Sequence, residues 1–380
     1  MKKIIKYALA YTFYFLDSIS SLLIGNSVQG KNTVLIFRLD HIGDFLLWNG
    51  NVNSLRSKYP RGKYKLVFLA NQSWGELVNL NNIFDEVWLV NRKKFIYNYF
   101  YRFSIFRKIR NYGFETIINP VFSRDPFWSD PIVRLSNAIF RIGFYGNSLN
   151  YNSHYLKNYY DRLYNNMIND INIKSEIEIN KIFYMAMGSD EDFKLSKFES
   201  NPALLPNLLK DKSYFVLFPG ASWSGRRWPP KFFSETANLI TENFKFNGVI
   251  CGALSDIPIS TDVINLSKYP LTDLTAKTSL LNLIQIIGNA KLLITNETSA
   301  AHIGACTNTP TICIAGGGHF GRFLTYQELL NPPPFLVANY YMDCYGCNWN
   351  CKYLKAETST PCIENVSVEK VFELIIKILN

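Results

Sequence analysis

The chain has 380 residues, which exceeds one typical domain core and predicts two domains. Because 48% of the residues are hydrophobic and 15% are aromatic, both domains can bury a core, and we expect no disorder beyond the termini. A net charge of +10 favours an anionic partner such as a nucleotide, a phosphorylated glycan or a membrane surface, with a merely solvated basic surface as the alternative. No Lys/Arg-rich run is typical of a nucleic-acid arm, so we predict no nucleic-acid partner.

Residues 1–30 predict an N-terminal helix and a linker. Lys6 and Asp17 interrupt the apolar run, and no clear small-residue cleavage site follows it, which disfavours a membrane-spanning helix and a secretory signal. An amphipathic helix can instead lie in the interface of a membrane, which we favour, or pack on the protein's own core. Its apolar residues recur every three to four positions: Ile5, Leu9, Phe13, Leu16, Ile19 and Leu23.

Beyond the linker, short apolar runs alternate with helical stretches. Strands that are apolar throughout and separated by helices predict parallel sheets covered on both faces. The polar stretch 147–205 has no clear strand and predicts helices and the inter-domain crossing. We therefore expect an α/β chain of two Rossmann-like domains, 31–205 and 206–380, with the active site in the cleft between them. The predicted strands are VLIFRL (34–39), YKLVFLAN (64–71), DEVWLV (85–90), FETIINP (114–120), RIGFYG (141–146), YFVLFPG (214–220), NGVICGA (247–253), KLLITNE (291–297), TICIAGGG (311–318) and FLVAN (335–339).

The stretch RLDHIGDFLLWNG (38–50) follows the first predicted strand and places Asp40, His41 and Asp44 among bulky apolar residues. A strand-to-helix turn often holds phosphate, but this one lacks the three-glycine dinucleotide pattern. Its negative charge would repel phosphate, so a different ligand is expected here.

In the second domain, LFPGASWSGRRWPPKFF (217–233) predicts a strand, a turn and a helix that begins with proline. Ser222, Arg226 and Arg227 lie in the turn, and two arginines at the carboxyl end of a strand suit a phosphate, because the guanidinium fork pairs with its oxygens. Arginines solvated on a loop are an equal alternative for either one alone.

A second turn of the same kind lies in LLITNETSAAHIGACTNTPT (292–311). Glu297 ends the strand and can accept hydrogen bonds from sugar or ribose hydroxyls. The small residues that follow allow the backbone N–H groups at the start of a helix to approach an anion. His302, taken alone, fits a packing residue better than a ligand-binding one. The candidate donor-binding residues of this turn are Glu297, Thr298, Ser299, Ala300 and His302.

Four of the seven cysteines fall within 19 residues near the end of the second domain: Cys344, Cys347, Cys351 and Cys362. One pair has CxxC spacing, and the set can hold a structural Zn²⁺, with free thiols as an equal alternative. An iron–sulfur cluster and a disulfide are less favoured. The other three cysteines, Cys251, Cys306 and Cys313, are predicted core residues.

Together, the segments RLDHIGDFLLWNG, PGASWSGRRWPPKFF and TNETSAAHIGACTNTPT, in this order and spacing, resemble the bacterial heptosyltransferase family, glycosyltransferase family 9. FETIINPVFSRDPFWSDPIVRLSNAIFRIGF (114–144) also looks like the family's strand, loop and helix, so the similarity runs from about Val34 to the C-terminus. It implies the two-domain type B glycosyltransferase fold and inverting transfer of a sugar, typically heptose from ADP-heptose, onto lipopolysaccharide without a catalytic metal or cofactor.

The resemblance also implies roles for single residues. Asp44 matches the family's Gly-Asp acid, the proposed general base, and Asp40 and His41 would then orient the acceptor or Asp44, with a helix cap as an equal alternative for Asp40. Arg226 falls where many members have Lys and would steady the leaving diphosphate. Glu297, Ser299 and Ala300 replace the commoner Asp, Gly and Pro, which leaves the identity of the donor sugar open.

We therefore expect a cytoplasmic enzyme, peripheral on the inner face of the bacterial inner membrane, that transfers a sugar from a nucleotide-sugar to lipopolysaccharide or another lipid-linked glycan. A nucleotide-sugar 2-epimerase of the same fold is one alternative. An epimerase would need further acid–base residues around the sugar, and the sequence offers only Asp44, Glu297 and the histidines as candidates. A membrane-associated glycan-binding protein without activity is the other alternative.

Overall fold

The computed structural model describes residues 2–25, 30–151, 154–169, 175–353 and 358–380, with side chains from residue 11 onward. Residues 27–29, which belong to the predicted linker, lie outside the described residues. The chain forms two compact units. Unit 1 comprises Met1–Phe45, Asn51–Ile173 and Glu178–Asp192, and unit 2 comprises Leu46–Gly50, Lys174–Ile177 and Phe193–Asn380.

Unit 1 is built on a parallel sheet. Its strands are β1 (Thr33–Arg38), β2 (Lys65–Asn71), β3 (Glu86–Val90), β4 (Thr116–Asn119), β5 (Phe140–Phe144) and β6 (Asn166–Ile168). Within the described residues of this unit they pair in the order β3-β2-β1-β4-β5-β6, with every pair parallel. The helices of this half of the chain are α1 (Lys2–Ile24), α2 (Ile42–Trp48), α3 (Leu55–Lys58), α4 (Arg92–Tyr97), α5 (Tyr99–Tyr112), α6 (Ser129–Ser136), α7 (His154–Asp161) and α8 (Glu176–Ala186).

Unit 2 repeats this plan. Its strands are β7 (Tyr214–Phe218), β8 (Asn247–Ile250), β9 (Leu271–Asp273), β10 (Leu292–Asn296), β11 (Thr311–Ala315) and β12 (Phe335–Asn339). In the part of unit 2 that the structure describes, they form one parallel sheet in the order β12-β11-β10-β7-β8-β9. The helices are α9 (Pro230–Phe244), α10 (Ile257–Leu266), α11 (Leu280–Gly288), α12 (Ser299–Cys306), α13 (Pro361–Glu364) and α14 (Val368–Leu379).

Both sheets have the same strand order. The first strand of each unit lies between the second and the fourth: β1 between β2 and β4, and β7 between β8 and β10. This is the doubly wound Rossmann order, in which the direction of strand addition reverses between the first and the fourth strand. The prediction of an α/β chain with two Rossmann-like units is therefore confirmed.

The strands predicted from apolar runs are confirmed, and the central ones are buried on both faces. Every residue of β7, β10 and β11 is buried, as expected for parallel strands covered by helices on both sides. Two strands were not predicted. β6 lies in the stretch that was expected to contain no strand, and β9 follows α10. Both are three residues long, partly exposed and at a sheet edge, so neither produces an apolar run.

Helix α1 packs on unit 1 through a buried ion pair. The carboxylate of Asp17 accepts hydrogen bonds from Nε and Nη2 of Arg102 at 2.7 and 2.6 Å. The Arg102 guanidinium also lies 5.0 Å from the centre of the Phe13 ring. Of the two predicted placements for this helix, packing on the protein's own core is observed for residues 11–24. No helix in the described part of the chain is both long and apolar enough to cross a membrane.

Replacing Asp17 with Ala should destabilise unit 1 by about 3–5 kcal/mol, because it leaves the Arg102 charge buried without its partner. The measurement is the midpoint of urea unfolding, followed by circular dichroism. Asp190 is exposed in the same unit, so Asp190→Ala is the matched control and should change the free energy of unfolding by no more than about 0.5 kcal/mol. Equal midpoints for the two variants would contradict the assignment.

Candidate functional site

The three motifs singled out from the sequence lie at the points where the strand order reverses. RLDHIGD follows β1, the turn at residues 219–229 follows β7, and Glu297 follows β10. Ligands of open α/β sheets bind outside the carboxyl ends of the strands at this reversal, because the connections on either side diverge and leave a crevice. Each unit thus presents one candidate site at the expected edge of its own sheet.

In unit 1, hydrogen bonds from neighbouring loops hold the turn after β1. Nδ2 of Asn71 donates to the carbonyl oxygens of Leu39 and Asp40 at 3.2 and 3.1 Å, and the Trp74 indole N–H donates to the Asp40 carbonyl at 3.0 Å. The Asp40 carboxylate accepts two bonds from the buried Arg38 guanidinium, at 3.0 Å from Nε and 2.6 Å from Nη2. Asp40 therefore acts mainly as the partner of Arg38, a contact that neither predicted role included.

Asp44 lies in the first turn of α2 and is half-buried. Its Oδ2 accepts a hydrogen bond of 3.2 Å from the backbone N–H of His41, so the carboxylate closes the first turn of the helix from the inside. The His41 ring is exposed, with Nε2 3.4 Å from Nη2 of Arg92. The turn thus presents a carboxylate and an imidazole at its surface, at the place that the motif predicted.

In unit 2, Asn296 at the end of β10 fixes the arginine-bearing turn. Its Nδ2 donates to the Pro219 carbonyl at 2.7 Å, and its Oδ1 accepts from the Trp228 backbone N–H at 3.0 Å. The Trp228 ring is fully buried, and its Nε1 donates to the Val366 carbonyl at 2.8 Å. The two ends of the turn are therefore held against β10, which brings the predicted arginines beside Glu297.

Arg226 contacts the second motif directly. Its Nη2 donates to the Glu297 carbonyl at 2.6 Å and lies 3.9 Å from Oε2 of the same residue. The guanidinium carbon is 4.9 Å from the centre of the Trp349 ring, a cation–π distance. Among the described residues, Nε of Arg226 is buried without a hydrogen-bond partner. A guanidinium held on two sides with a donor still unused is suited to an incoming anion.

Arg227 and Ser222 occupy the outer part of the same turn. The Arg227 guanidinium donates to the Ala221 carbonyl at 3.1 and 3.3 Å and lies 4.0 Å from Asp256. Asp256 in turn packs against Gly220, where an added Cβ would lie 2.3 Å from the carboxylate, so only glycine fits there. Ser222 is exposed. Arg227 thus closes the turn, while Arg226 faces Glu297.

Glu297 is 6% exposed and lines a pocket of about 370 Å³. Burial raises the pKa of its carboxyl group to about 7, although the positive charge of Arg226 acts in the opposite direction. Oε2 has no hydrogen-bond partner in the described residues, so a ligand hydroxyl could occupy that position without displacing a protein group. The pocket is lined by Glu297, Ala315, Gly316, His319, Phe320, Gly321, Leu324, Thr325, Gln327, Glu328, Val337 and Asn339.

The helix that follows Glu297 is α12. Thr298 precedes it and accepts a hydrogen bond of 3.3 Å from the Ala300 N–H through its hydroxyl, while Ser299 is partly exposed and Ala300 is buried. His302 is buried, with Nδ1 2.6 Å from the Tyr326 hydroxyl. Burial and the charge of Arg226 lower the pKa of His302 to about 4. This imidazole is therefore neutral at pH 7 and packs in the core, the role that its position in the sequence favoured.

The cysteine-rich segment packs on the glycine run that follows β11. The backbone N–H groups of Gly346 and Asn348 donate to the carbonyls of Gly317 and Gly318 at 2.8 and 2.9 Å. An added Cβ on Gly318 would lie 2.3 Å from the Trp349 ring, so the approach requires glycine. The segment thereby places the Trp349 ring over the Arg226 guanidinium.

His319 fixes the other edge of the Trp349 ring. The indole N–H donates to Nδ1 of His319 at 3.1 Å, which leaves Nε2 as the donor to Oδ1 of Asn348, also at 3.1 Å. Burial, with the charges of Arg226 and Arg322, lowers the pKa of His319 to about 4, so it is neutral at pH 7. The ring that stacks on Arg226 is thus held by a neutral histidine with both nitrogens engaged.

The four clustered cysteines have free thiols. Burial raises the pKa of Cys347, and the proximity of Cys351, Cys344 and Cys362 raises it further. Across the described ranges, which omit 354–357, no three His, Cys, Asp or Glu side chains are arranged to hold a metal ion. The structural Zn²⁺ therefore stays a prediction without geometric support. The three cysteines expected in the core, Cys251, Cys306 and Cys313, are buried.

Sequence reasoning missed the side chains that position the site. Asn296 lies within the predicted strand 291–297 with no sign of its role, and the Asp256 partner of Arg227 gives no signal in the sequence. Trp349 and Tyr326 lie far along the chain from the residues that they contact. The one usable signal was the glycine run Gly316–Gly318, because three glycines after a buried strand indicate that another chain segment approaches closely.

The raised pKa of Glu297 should appear in the pH dependence of stability. Between about pH 4.5 and 7 the unfolded chain releases this proton while the folded chain keeps it, so wild-type stability falls as pH rises. Glu297→Gln removes that loss. The variant should be more stable than wild type at pH 8, by an amount on the order of 3 kcal/mol, and equal to it near pH 4.

Thermal unfolding from pH 4 to 8 measures this difference. Glu373 is exposed on α14, so Glu373→Gln is the matched control and should follow the wild-type curve at every pH. A constant offset between Glu297→Gln and wild type over the whole range would contradict a buried, protonated carboxyl group.

The chain is similar to proteins of one enzyme family. A family model described as glycosyltransferase family 9 (heptosyltransferase) matches residues 102–331. Lipooligosaccharide heptosyltransferase 2 of Haemophilus influenzae is 28% identical over 128 residues, 32% of this chain and 35% of that protein. The protein of the same name from Campylobacter jejuni is 28% identical over 186 residues, 48% of this chain and 54% of that protein. The similarity thus spans only about a third and a half of these relatives.

Solved structures match over nearly the whole chain. A family 9 glycosyl transferase from Veillonella parvula has a TM-score of 0.68 at 17% identity and covers 93% of this chain and 99% of its own. The E. coli ADP-heptose lps heptosyltransferase II has a TM-score of 0.63 at 15% identity and covers 91% and 98%. At these identities the structures establish the shared fold. Because the family model matches more than half of the residues, this chain belongs to glycosyltransferase family 9 (heptosyltransferase).

Proposed function

We propose that this protein transfers a sugar from a nucleotide-diphosphate sugar to lipopolysaccharide or another lipid-linked glycan, with inversion at the anomeric carbon and without a catalytic metal. The observation that carries the proposal is the division of charge between the two units of a family 9 chain. An acidic turn follows β1 in unit 1, and an arginine-bearing turn follows β7 in unit 2. Transfer from a diphosphate donor needs both a base and an anion site.

The donor diphosphate is assigned to unit 2. Arg226 has an unused Nε donor, and its charge is held in place by the Glu297 carbonyl and the Trp349 ring. Arg227, Ser222 and the backbone at the start of α12 lie at the same edge of the sheet, with Thr298 and Ser299 partly exposed. These groups would stabilise the negative charge that develops on the diphosphate as the sugar leaves.

The donor sugar is assigned to the pocket beside Glu297. Glu297 supplies a buried carboxyl group with an unpaired oxygen, and Thr325, Gln327 and Asn339 add polar side chains to the lining. Phe320 supplies an aromatic face. This mixture suits a neutral polyhydroxy sugar, and heptose carried by ADP is our first candidate because a structurally similar enzyme is an ADP-heptose heptosyltransferase.

Asp44 is assigned as the general base. It would accept the proton of the acceptor hydroxyl as the hydroxyl oxygen forms a bond to the anomeric carbon and the bond to the diphosphate breaks. Asp40 is a weaker candidate because its carboxylate already binds two nitrogens of Arg38. His41, exposed beside Asp44, would orient the acceptor. A lipid-linked acceptor implies that the protein works at the cytoplasmic surface of the bacterial inner membrane.

Asp44→Asn should lower the rate of sugar transfer by about 10²–10⁴-fold, because the amide cannot take the hydroxyl proton. Donor affinity should not change, since the donor is assigned to unit 2. The measurement is transfer from ADP-heptose to a lipopolysaccharide acceptor, with Asp190→Asn, exposed in the same unit, as the control. Full transfer by Asp44→Asn would remove Asp44 from the role of base.

Two further outcomes would replace the proposed reaction. A change of the donor at C2 without any acceptor would indicate a nucleotide-sugar 2-epimerase. Failure of the wild-type chain to bind any of the ADP-, GDP-, UDP- and dTDP-sugars would indicate a glycan-binding protein without activity.

Arg226→Ala should weaken ADP binding by about 10–100-fold, because a charge-assisted contact to the diphosphate is lost. Binding of adenosine, which lacks the phosphates, should stay the same. Isothermal titration of both ligands measures the difference. Equal losses for adenosine and ADP would show that the substitution disturbs the turn as a whole, and no loss for ADP would place the diphosphate elsewhere.

A further inference from the structure

Helix α1 buries polar side chains beside the rings of Phe13 and Tyr14 and leaves an apolar stripe exposed. A surface helix buries its apolar side and exposes its polar side. In α1, polar groups face unit 1, and Asp17 and Ser20 are fully buried there. The contacts of this face are Asp17 with Arg102, Ser18 and the Tyr14 carbonyl with Arg134, Ser20 with Tyr99, and Ser21 with Arg110.

Apart from Thr12, the outward side of α1 is apolar. Tyr11, Phe15 and Leu22 are 52%, 64% and 83% exposed, and their spacing of four and seven positions places them on one stripe. Leu23, next to this stripe, is 68% exposed. Asp17 is the one charged residue between positions 11 and 24, and it faces inward. The outer face of α1 therefore carries no charge over almost four helical turns.

Aromatic and basic side chains continue this surface on α5. Phe100 is 82% exposed and Arg107 is exposed, and on the helical wheel of α5 both lie on the side next to Tyr99 and Arg110, the residues that bond to α1. An exposed ring and a positive charge thus lie on the helix that contacts α1.

The surface of unit 1 that α1 covers is also positively charged. Arg110 donates to the Ser21 hydroxyl at 3.3 Å, and Arg134 donates to the Ser18 hydroxyl at 2.6 Å. In the described residues neither guanidinium has a carboxylate partner. Asp17 neutralises only Arg102, so two of the three arginines beneath α1 keep their charge. An apolar face above uncompensated positive charge is complementary to an apolar surface that carries anions.

We propose that the outer face of α1, defined by Tyr11, Phe15, Leu22 and Leu23 and continued by Phe100 and Arg107, lies in the headgroup region of an anionic phospholipid bilayer. The apolar side chains enter the acyl boundary while the exposed Arg107 meets lipid phosphates. A second copy of the chain is disfavoured as the occupant, because a two-fold contact through this face would bring the same positive charges together. This face is the part of the protein that would contact the membrane in the proposed function. Its proposed binding to lipid rests on that function only for the reason why the protein would bind a membrane.

Vesicle flotation with the full-length chain tests the proposal, without donor or acceptor. Wild type should float with phosphatidylcholine–phosphatidylglycerol vesicles. Phe15→Ser/Leu22→Ser should reduce the bound fraction about tenfold or more, because two apolar side chains no longer enter the acyl boundary. Leu254→Ser/Leu330→Ser changes two side chains that are 75% and 79% exposed in unit 2 and should float like wild type. Unchanged circular dichroism excludes unfolding as the cause.

A charge variant separates the electrostatic part. Arg107→Glu should weaken flotation with the anionic vesicles and leave the weak binding to pure phosphatidylcholine vesicles unchanged, whereas Lys197→Glu, exposed in unit 2, should alter neither. Equal flotation of Phe15→Ser/Leu22→Ser and wild type would overturn the proposal. So would a wild-type dimer that this double variant converts to a monomer while no form binds vesicles.

The result is independent of the proposed reaction. Asp44→Asn should float like wild type even where it transfers no sugar, because Asp44 lies outside the proposed surface. A chain that floats but transfers nothing would retain the membrane face and reject the proposed activity. A chain that transfers sugar but does not float would support the proposed activity and reject the membrane face.

Discussion

The reversal of strand order in each sheet is the constraint on which the placement of the site depends. In both units the first strand starts at the centre, and later connections run first to one side and then to the other. The loops after the first and fourth strands therefore diverge and leave a crevice at the carboxyl ends of the strands. Asp44 follows β1, Arg226 follows β7 and Glu297 follows β10. One topological rule thus accounts for the positions of all three groups.

The two units use the same topology for opposite chemistry. In unit 1, the turn presents two carboxylates: Asp40, neutralised by Arg38, and Asp44, which accepts a hydrogen bond from the backbone N–H of His41. In unit 2, the corresponding turn presents guanidinium groups, held by carbonyls and an aromatic ring. Glu297 is the exception, since burial holds its carboxyl group near neutrality beside Arg226. The arginine-bearing turn therefore keeps its positive charge although a carboxyl group lies within 4 Å of Arg226.

Much of the fold and part of the site could be predicted from the sequence. Buried parallel strands carry runs of apolar residues, so β1, β7 and β10 are visible in the sequence. β6 and β9 are short edge strands with few buried residues, and pattern alone does not reveal them. The pairing of Asp40 with Arg38 was equally hidden, since spacing shows proximity but not which partner a carboxylate prefers. Contacts between distant segments, such as Trp349 on Arg226, follow only from the folded chain.

The glycine run Gly316–Gly318 has a consequence for how this protein can change over time. Added Cβ atoms at its three positions would collide with Trp349, Tyr345 and Trp349 again, at 2.7, 2.1 and 2.3 Å. A larger residue in the run would have to arise together with a smaller ring in the cysteine-rich segment, and either change alone would be harmful. The two stretches are expected to evolve as a pair, so a chimera that takes one from a relative should also take the other.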